Sequence, residues 1–528
     1  MKNIADFKVL LVYPNLSMMR IPSLAIGLFT SILKSKGYIV GLFDATPYKD
    51  EAKILDHENR RIESLQYRKV DTSHIEGEIK TDLKGDFIRK ISDFKPDILI
   101  ISVVEDTFEK AVNLIDWVQE FKIPNIIGGV FPSMSPEEAI TPTAVNMIAI
   151  GEGEETVVDV CEMIRKGESC ENVSGVWFKK ENGSVVKNPY RSLVDINKNA
   201  PDYTLFEKDK FYRPWGGKIY KTITLETVRG CPYKCTFCNT PAREFLVKDS
   251  DQTSYIRRKD IDRVDYELSL MKESVDPEFI MFVDDTFLTR PEKNFYEWCE
   301  MYEKHKIPFW VNTRLESISE EKLNALRQVG CHRFSFSIEH GNQEYRKKFL
   351  EKAFKNEDVV EKGQMVANCG IPFSMDVLIG LPFETRELVF DTIELVRKIP
   401  GYDALTVNIF TPYRGTKLRD LAIKKGWLDK YIFSNGISGS SMLRMPLPYL
   451  QQTDIEGLFR TFALYAYYPK ERWGEIKAAE SLSEEGNLMF KDLSSEYYNK
   501  RFSNVATVVD VDNNQRGVGC RADETSSL

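Results

Sequence analysis

TITLETVRGCPYKCTFCN, residues 222–239, runs from a β-rich stretch straight into three cysteines. Thr222–Val228 mixes β-branched and polar residues and reads as a strand. Cys231, Cys235 and Cys238 follow in the loop at its end, spaced C-x₃-C-x₂-C. Downstream, Phe279–Val283, Pro308–Asn312, Arg333–Ile338, Phe373–Ile379 and Ala404–Phe410 repeat the strand pattern. Helical patterns follow near residues 258–273, 292–305, 319–329, 355–369, 384–398 and 416–425. Six strand–helix units are too few for a closed eight-fold barrel and suit an open, partial (β/α)₆ TIM-like one. Chemistry in such a barrel belongs at the C-terminal strand ends, where this cysteine loop stands.

A four-iron cluster usually takes one thiolate per iron. Three thiolates leave one iron open to an outside ligand. Zinc normally wants four protein ligands in a closed site, and no neighbouring cysteine or histidine supplies the fourth. Three structural cysteines remain the bland alternative.

With Phe237 before the third cysteine, the motif resembles that of the radical S-adenosylmethionine (SAM) superfamily, and the resemblance covers about residues 220–425. It implies a 4Fe-4S cluster on Cys231, Cys235 and Cys238, whose open iron is chelated by SAM. An electron from the cluster then breaks the sulfonium C–S bond. Other landmarks of the family have counterparts here. Asp284 and Asp285 end the second strand, where the family holds the SAM amino group; Asp-Asp-Thr-Phe replaces the usual Gly-Gly-Glu, as in relatives with a cobalamin domain. Asn312 and Arg314 would hold the SAM carboxylate, and Ser337 and Glu339 would reach its ribose or amino group. Gly380 and Phe410 end the fifth and sixth strands, near the expected adenine. Strand ends and turns alone give the same residues structural explanations.

Residues 1–187 alternate strands and helices as a doubly wound, Rossmann-like α/β domain. Its strands are Lys8–Tyr13, Ile39–Phe43, Asp97–Val103, Asn125–Ile127 and Met147–Ile150, with helices at Pro22–Lys36 and near 106–121, 135–140 and 153–166. A hairpin-like run, Val173–Lys187, closes it around Asn182-Gly183. Residues 48–80 read as a charged insertion. Three strand-end loops are ligand candidates: Val104-Glu105-Asp106-Thr107-Phe108 after the third strand, Gly128-Gly129-Val130-Phe131-Pro132-Ser133 after the fourth and Gly151-Glu152-Gly153-Glu154-Glu155-Thr156 after the fifth, with Asn15 after the first strand a further candidate residue. The glycine pair permits close approach of a ligand to the backbone. Gly-Glu-Gly-Glu before a helix is equally plain capping chemistry.

This order of loops resembles the cobalamin-binding domains of cobalamin-dependent radical SAM enzymes, over about residues 5–170. One departure matters. Many cobalamin proteins carry Asp-x-His-x-x-Gly after the first strand, with the histidine as lower cobalt ligand. Residues 14–20 here contain none, and His57, His74, His305, His332 and His340 all lie elsewhere. The resemblance therefore implies cobalamin without a protein imidazole.

Residues 188–220 read as a linker, 221–428 as the barrel, and 429–502 as a small, mainly helical C-terminal region rich in aromatics, among them Phe459, Phe462, Tyr465, Tyr467, Tyr468 and Trp473. The aromatics suit helical core, or a flat or lipid-like substrate. Residues 503–528 read as a disordered tail. The net charge of −8, with both signs mixed along the chain, gives no general reason to bind nucleic acid. The chain shows no membrane-spanning run and no secretory signal, and the uneven cysteines argue against a disulfide scaffold; a cytoplasmic setting is expected.

The leading expectation is a C-methyltransferase acting on a small-molecule or lipid-like substrate, served by an electron donor such as flavodoxin or ferredoxin. The alternatives are an oxidative cyclase of tetrapyrrole type and a non-enzymatic cobalamin or iron–sulfur sensor. A methylthiotransferase fits poorly, because those relatives carry further cluster cysteines in the N-terminal domain, and only Cys161 and Cys170 precede the triad here.

Overall fold

The structure is a computed structural model that describes every residue except 18, 50–63, 67, 69, 73–74, 76–78, 248–253, 435–439 and 503–528. His57, His74, most of the charged insertion and the tail expected to be disordered lie outside the described residues.

In the N-terminal domain, Lys8–Tyr13 (β1), Ile39–Asp44 (β2), Ile98–Val103 (β3), Asn125–Gly129 (β4) and Met147–Ala149 (β5) form a parallel sheet in the order β2-β1-β3-β4-β5. Val176–Lys179 (β6) and Val185–Lys187 (β7) extend it as the antiparallel hairpin. The apolar runs are continuous because both faces are covered. Alternate residues feed different cores. Val9, Leu11, Ile98, Ile100 and Ile126 enter one. Leu10, Val12, Leu99, Ile101 and Ile127 enter the other. This is the doubly wound arrangement expected from the sequence.

Tyr212–Trp215 (β8), Lys218–Leu225 (β9), Val228–Arg229 (β10), Arg257–Arg258 (β11), Phe279–Phe282 (β12), Phe309–Thr313 (β13), Cys331–Glu339 (β14), Phe373–Ile379 (β15) and Ala404–Ile409 (β16) follow. The half-barrel sheet runs β16-β15-β14-β13-β12-β9-β8, parallel except for β8. The first barrel strand begins earlier than the sequence suggested. β8 and the start of β9, within the stretch read as a linker, make a hairpin across Gly216 and Gly217, both at positive φ.

Val311, Phe334, Phe336, Met375 and Val377 are almost wholly buried in one core with Leu323, Val359 and Val389 of the surrounding helices. Their neighbours in sequence point the other way and are polar. Register pairs Asn312 with Ser335, Ser335 with Ser374, and Ser337 with Asp376. Ser335 Oγ donates to Asp376 Oδ2 at 3.0 Å. The concave face is thus a polar stripe.

Six parallel strands leave β16 as an open edge, a liability that proteins cover. The described part of the insertion does so. Ser64, Leu65 and Gln66 are buried, Gln66 Nε2 donates to Val407 O at 3.0 Å, and Arg68 Nη2 pairs with Asp403 Oδ1 at 2.9 Å.

Helices Gln452–Tyr467, Trp473–Ala479 and Glu484–Phe502 form the C-terminal region. Phe462, Tyr465 and Tyr468 are buried in the barrel's outer core, with the Tyr465 hydroxyl donating to Glu480 at 2.6 Å. These aromatics are helical core. Among the described residues, no helix is long and apolar enough to cross a membrane.

Candidate functional site

The C-terminal edges of the two sheets face each other. Arg229, two residues before Cys231, reaches Glu152 Oε1 at 3.0 Å and Glu154 Oε1 at 2.9 Å in the loop after β5. A Cβ on Gly151 would meet Leu246 Cδ2 at 3.0 Å, so the segment after the cysteines lies against that loop. On the other flank Glu105, after β3, accepts from Arg414 N at 3.1 Å and Ser434 N at 2.7 Å, and also bonds the Arg414 guanidinium. These contacts set the barrel's strand-end loops, the cysteine loop among them, against the loops after β3 and β5.

Cys231, Cys235 and Cys238 are free and half-exposed. Cys238 N donates to Cys235 O at 3.2 Å, and Thr236 O accepts from Leu418 N at 3.1 Å, pinning the loop from inside. Burial pushes the Cys231 thiol up to about 11. Burial also raises Cys235, against the pull of Lys352 and Arg314. Among the described residues, no three His, Cys, Asp or Glu side chains converge on a single ion. A cluster takes each thiolate on a different iron, so its ligands need not meet at one point.

The two aspartates after β12 have separate jobs. Asp284 is 1% exposed and accepts from Thr227 N at 2.6 Å, Val228 N at 2.9 Å and Arg290 Nη2 at 3.0 Å. It anchors the strand that leads to the cysteines. Asp285 is exposed beside Thr240 and close enough to Cys231 to act on its charge. Asn312 and Ser337 are half-buried on the concave face. Arg314 Nη1 donates to Cys235 Sγ at 2.9 Å. Glu339 sits at φ +60° and is buried against Lys352 Nζ at 2.9 Å. A strained residue held in place this way commonly marks a functional strand end. Phe237 packs with Phe349 and Phe383. Phe410 is 2% exposed within that core, and Gly380, at φ +77°, gives its N–H to buried Glu384.

In the N-terminal domain, Asn15 is buried, and its amide donates to Met19 O at 2.8 Å and Thr46 Oγ1 at 3.0 Å. Thr107 closes its own turn through Val104, while Asp106 faces Tyr413. Phe131 is buried against Phe108 and Phe433. Gly129 has φ +118°, and a Cβ there would meet Val103 O at 2.2 Å; Gly128 meets only Ala149 Cβ, at 3.4 Å. Ser133 Oγ ties the two glycine loops, donating to Gly129 O at 2.8 Å and accepting from Gly151 N at 2.9 Å. A Cβ on Gly153 would strike the Phe29 ring at 2.7 Å. Val104 is 45% exposed and Val130 half-exposed, an open apolar edge that a flat macrocycle can cover. The three described histidines are elsewhere: His305 pairs with Asp265, His332 lies against Tyr220, and His340 faces Glu384.

Sequence reasoning missed Arg229, Lys352 and Arg243. Arg229 adjoins the motif and could have been found. Lys352 lies in a lysine-rich stretch with nothing to single it out. Arg243 donates to the Tyr255 hydroxyl at 3.1 Å, with its charge beside Asp285 and Cys238. Cys161 and Cys170 are buried in the core, away from any cleft.

The radical SAM superfamily model matches residues 225–396, and the B12 binding domain model matches residues 63–161. An uncharacterized methyltransferase of Pyrococcus horikoshii is 25% identical over 374 residues, 69% of this chain and 78% of that protein. The cytidylyl-2-hydroxyethylphosphonate methyltransferase of Streptomyces wedmorensis is 22% identical over 440 residues, 74% of this chain and 78% of that protein. The fold is similar to that of the radical S-adenosylmethionine methyltransferase TsrM from Kitasatospora setae, solved with cobalamin and a [4Fe-4S] cluster bound. The TM-score is 0.60 at 16% identity, covering 93% of this chain and 99% of that one.

Proposed function

Because the chain joins a B12-binding domain to a radical SAM domain, it is a cobalamin-dependent radical SAM protein, with cobalamin, SAM and a 4Fe-4S cluster as its cofactors, and we propose that it transfers a methyl group from SAM to a carbon of a small or lipid-like substrate. One observation carries this reading. The strand-end loops of the two sheets meet, Arg229 beside the cysteine loop on Glu152 and Glu154 and Arg414 on Glu105, which supports a reading in which the two cofactors lie on neighbouring loops. When bound, the cluster supplies the electron that splits SAM, and cobalamin supplies the capacity to pass a methyl group to a carbon radical.

The chain's own residues bind and orient. Cys231, Cys235 and Cys238 would hold the cluster. Asp285, Asn312 and Ser337, open on the concave wall, would face SAM, with Phe237, Asp284, Glu339, Gly380 and Phe410 supporting them from behind. Asp106, Thr107, Gly128, Gly129, Val130, Gly151 and Gly153 would border the corrin, with Asn15, Glu105, Phe131 and Glu152 holding those loops in place. Fixing both cofactors on rigid strand ends is what makes a short-lived radical useful. The methyltransferase names of the relatives support methylation as the outcome. We place the protein in the cytoplasm, where a flavodoxin- or ferredoxin-type donor would reduce it.

The test is anaerobic turnover with methyl-labelled SAM, reductant and a panel of small and lipid-like substrates. Methylation predicts both 5′-deoxyadenosine and S-adenosylhomocysteine, with label on a product carbon. A product without label, formed with 5′-deoxyadenosine and no S-adenosylhomocysteine, would make this an oxidative enzyme of the cyclase type instead.

A further inference from the structure

Arg314 stands at the end of β13, where a SAM carboxylate ligand was expected, yet its hydrogen bonds go elsewhere. The residue is 7% exposed. Nε donates to Glu316 Oε2 at 3.1 Å and Nη2 donates to Glu316 Oε1, so one forked edge of the guanidinium is committed. The other edge is anchored at Nη1, which donates to Cys235 Sγ at 2.9 Å. The Arg314 guanidinium also lies 4.0 Å from the ring centroid of Tyr233, inside the cysteine loop itself. Glu316 and Cys235 thus commit three of the five guanidinium N–H groups.

We propose that Arg314 is a positioning residue of the cluster, whose Nη1–H···Sγ bond to Cys235 raises the cluster's reduction potential, and that it is not the residue that grips SAM. The inference rests on the cluster reading above. Hydrogen bonds to cluster sulfurs are a principal means by which a protein tunes such centres, because they stabilise the more electron-rich, reduced state. Glu316 holds the fork and cancels most of its charge, so the hydrogen bond is the main lever. The three thiolates would then be unequal. Cys235 feels Arg314 and Lys352 against Glu339, whereas Cys231 feels Asp285.

The opposed signs of two substitutions make the test. Removing the donor in Arg314→Gln should lower the midpoint potential. Removing the counter-charge in Glu316→Gln should leave the guanidinium uncancelled and raise it. Iron and sulfide are assayed first on reconstituted full-length protein. The cluster is then titrated without SAM, following the reduced signal by electron paramagnetic resonance, and SAM affinity is measured separately by equilibrium dialysis. Arg314→Gln should change the oxidised-to-reduced ratio at fixed poise about tenfold, about 59 mV for one electron, with SAM affinity within about threefold of wild type. Damage to packing alone would move both variants the same way and would overturn the proposal. An unchanged midpoint with SAM binding lost would overturn it too and make Arg314 a SAM ligand. If Arg314→Gln holds no cluster, the Glu316→Gln shift decides. Wild-type protein that assembles no four-iron cluster would refute the underlying reading instead.

Discussion

Arg229 Nη1 lies 3.0 Å from Glu152 Oε1, a salt bridge across 77 residues that ties the cysteine loop to the strand-end loop of the N-terminal sheet. Arg257 binds the same carboxylate, and Val194 N donates to it at 2.8 Å. The loop that looked like a ligand loop in sequence is therefore also a clamp between the two domains.

Glu152→Ala leaves Arg257 without its carboxylate, while Arg229 keeps Glu154 and Glu226. Removing one partner of a buried pair costs about 3–5 kcal/mol, and with these remaining partners urea unfolding should show a loss below that range. Burial pushes the Glu152 carboxyl up, but Arg257 and Arg229 outweigh it and hold it below its ordinary 4.5. Its contribution is complete above that value and fades as pH falls below it. The stability gap between wild type and Glu152→Gln should therefore narrow in acid. A gap that widens would contradict the assignment.

Cys235→Ala should abolish the cluster's absorbance and all SAM cleavage. Cys299→Ala, in a buried core position, should keep both. With Cys231 raised to about 11, its thiol is protonated at neutral pH and must lose its proton as iron binds. Assembly should run faster at pH 9 than at pH 7, and a pH-independent rate would count against this picture.

Gly129→Ala combines a positive φ with a collision at Val103 O. It should cost at least about 1–3 kcal/mol in thermal or urea unfolding. Gly128→Ala meets nothing closer than 3.4 Å and should leave stability nearly unchanged. If the corrin approaches this edge, Gly128→Ala should nonetheless weaken cobalamin binding, read by the visible spectrum after gel filtration. Equal stability losses in the two variants would be inconsistent with the geometry.

The strands, their order and the cysteine loop were legible in the sequence because hydrophobic period and spacing are local. The division of labour at Asp284 and Asp285 was not. Adjacent identical residues differ only in which way the strand end turns, and that depends on Arg290 and Thr227. Nor could sequence distinguish Glu105, held by Arg414 and Ser434, from a residue free to meet a ligand. The burial of Ser64–Gln66 was hidden by charged neighbours, and only the open edge of β16 explains it. β8 escaped notice because Gly216-Gly217 and scattered aromatics resemble a linker until β9 is present to pair with them.

Cobalamin should bind without a protein imidazole below the cobalt. The described histidines are engaged with Asp265, Tyr220 and Glu384, and Asn15 has spent its amide on Met19 and Thr46. Electron paramagnetic resonance of the cob(II)alamin form should show no nitrogen splitting from a protein ligand. Such splitting, lost on substituting a histidine, would refute this.

The central claim is that one chain holds both cofactors, and cofactor analysis after anaerobic reconstitution tests it most directly. The account predicts about four irons and about four sulfides per chain, together with about one tightly bound cobalamin on the B12-binding domain. Protein that retains a single metal ion without sulfide, or that releases all its cobalamin on gel filtration, would contradict it.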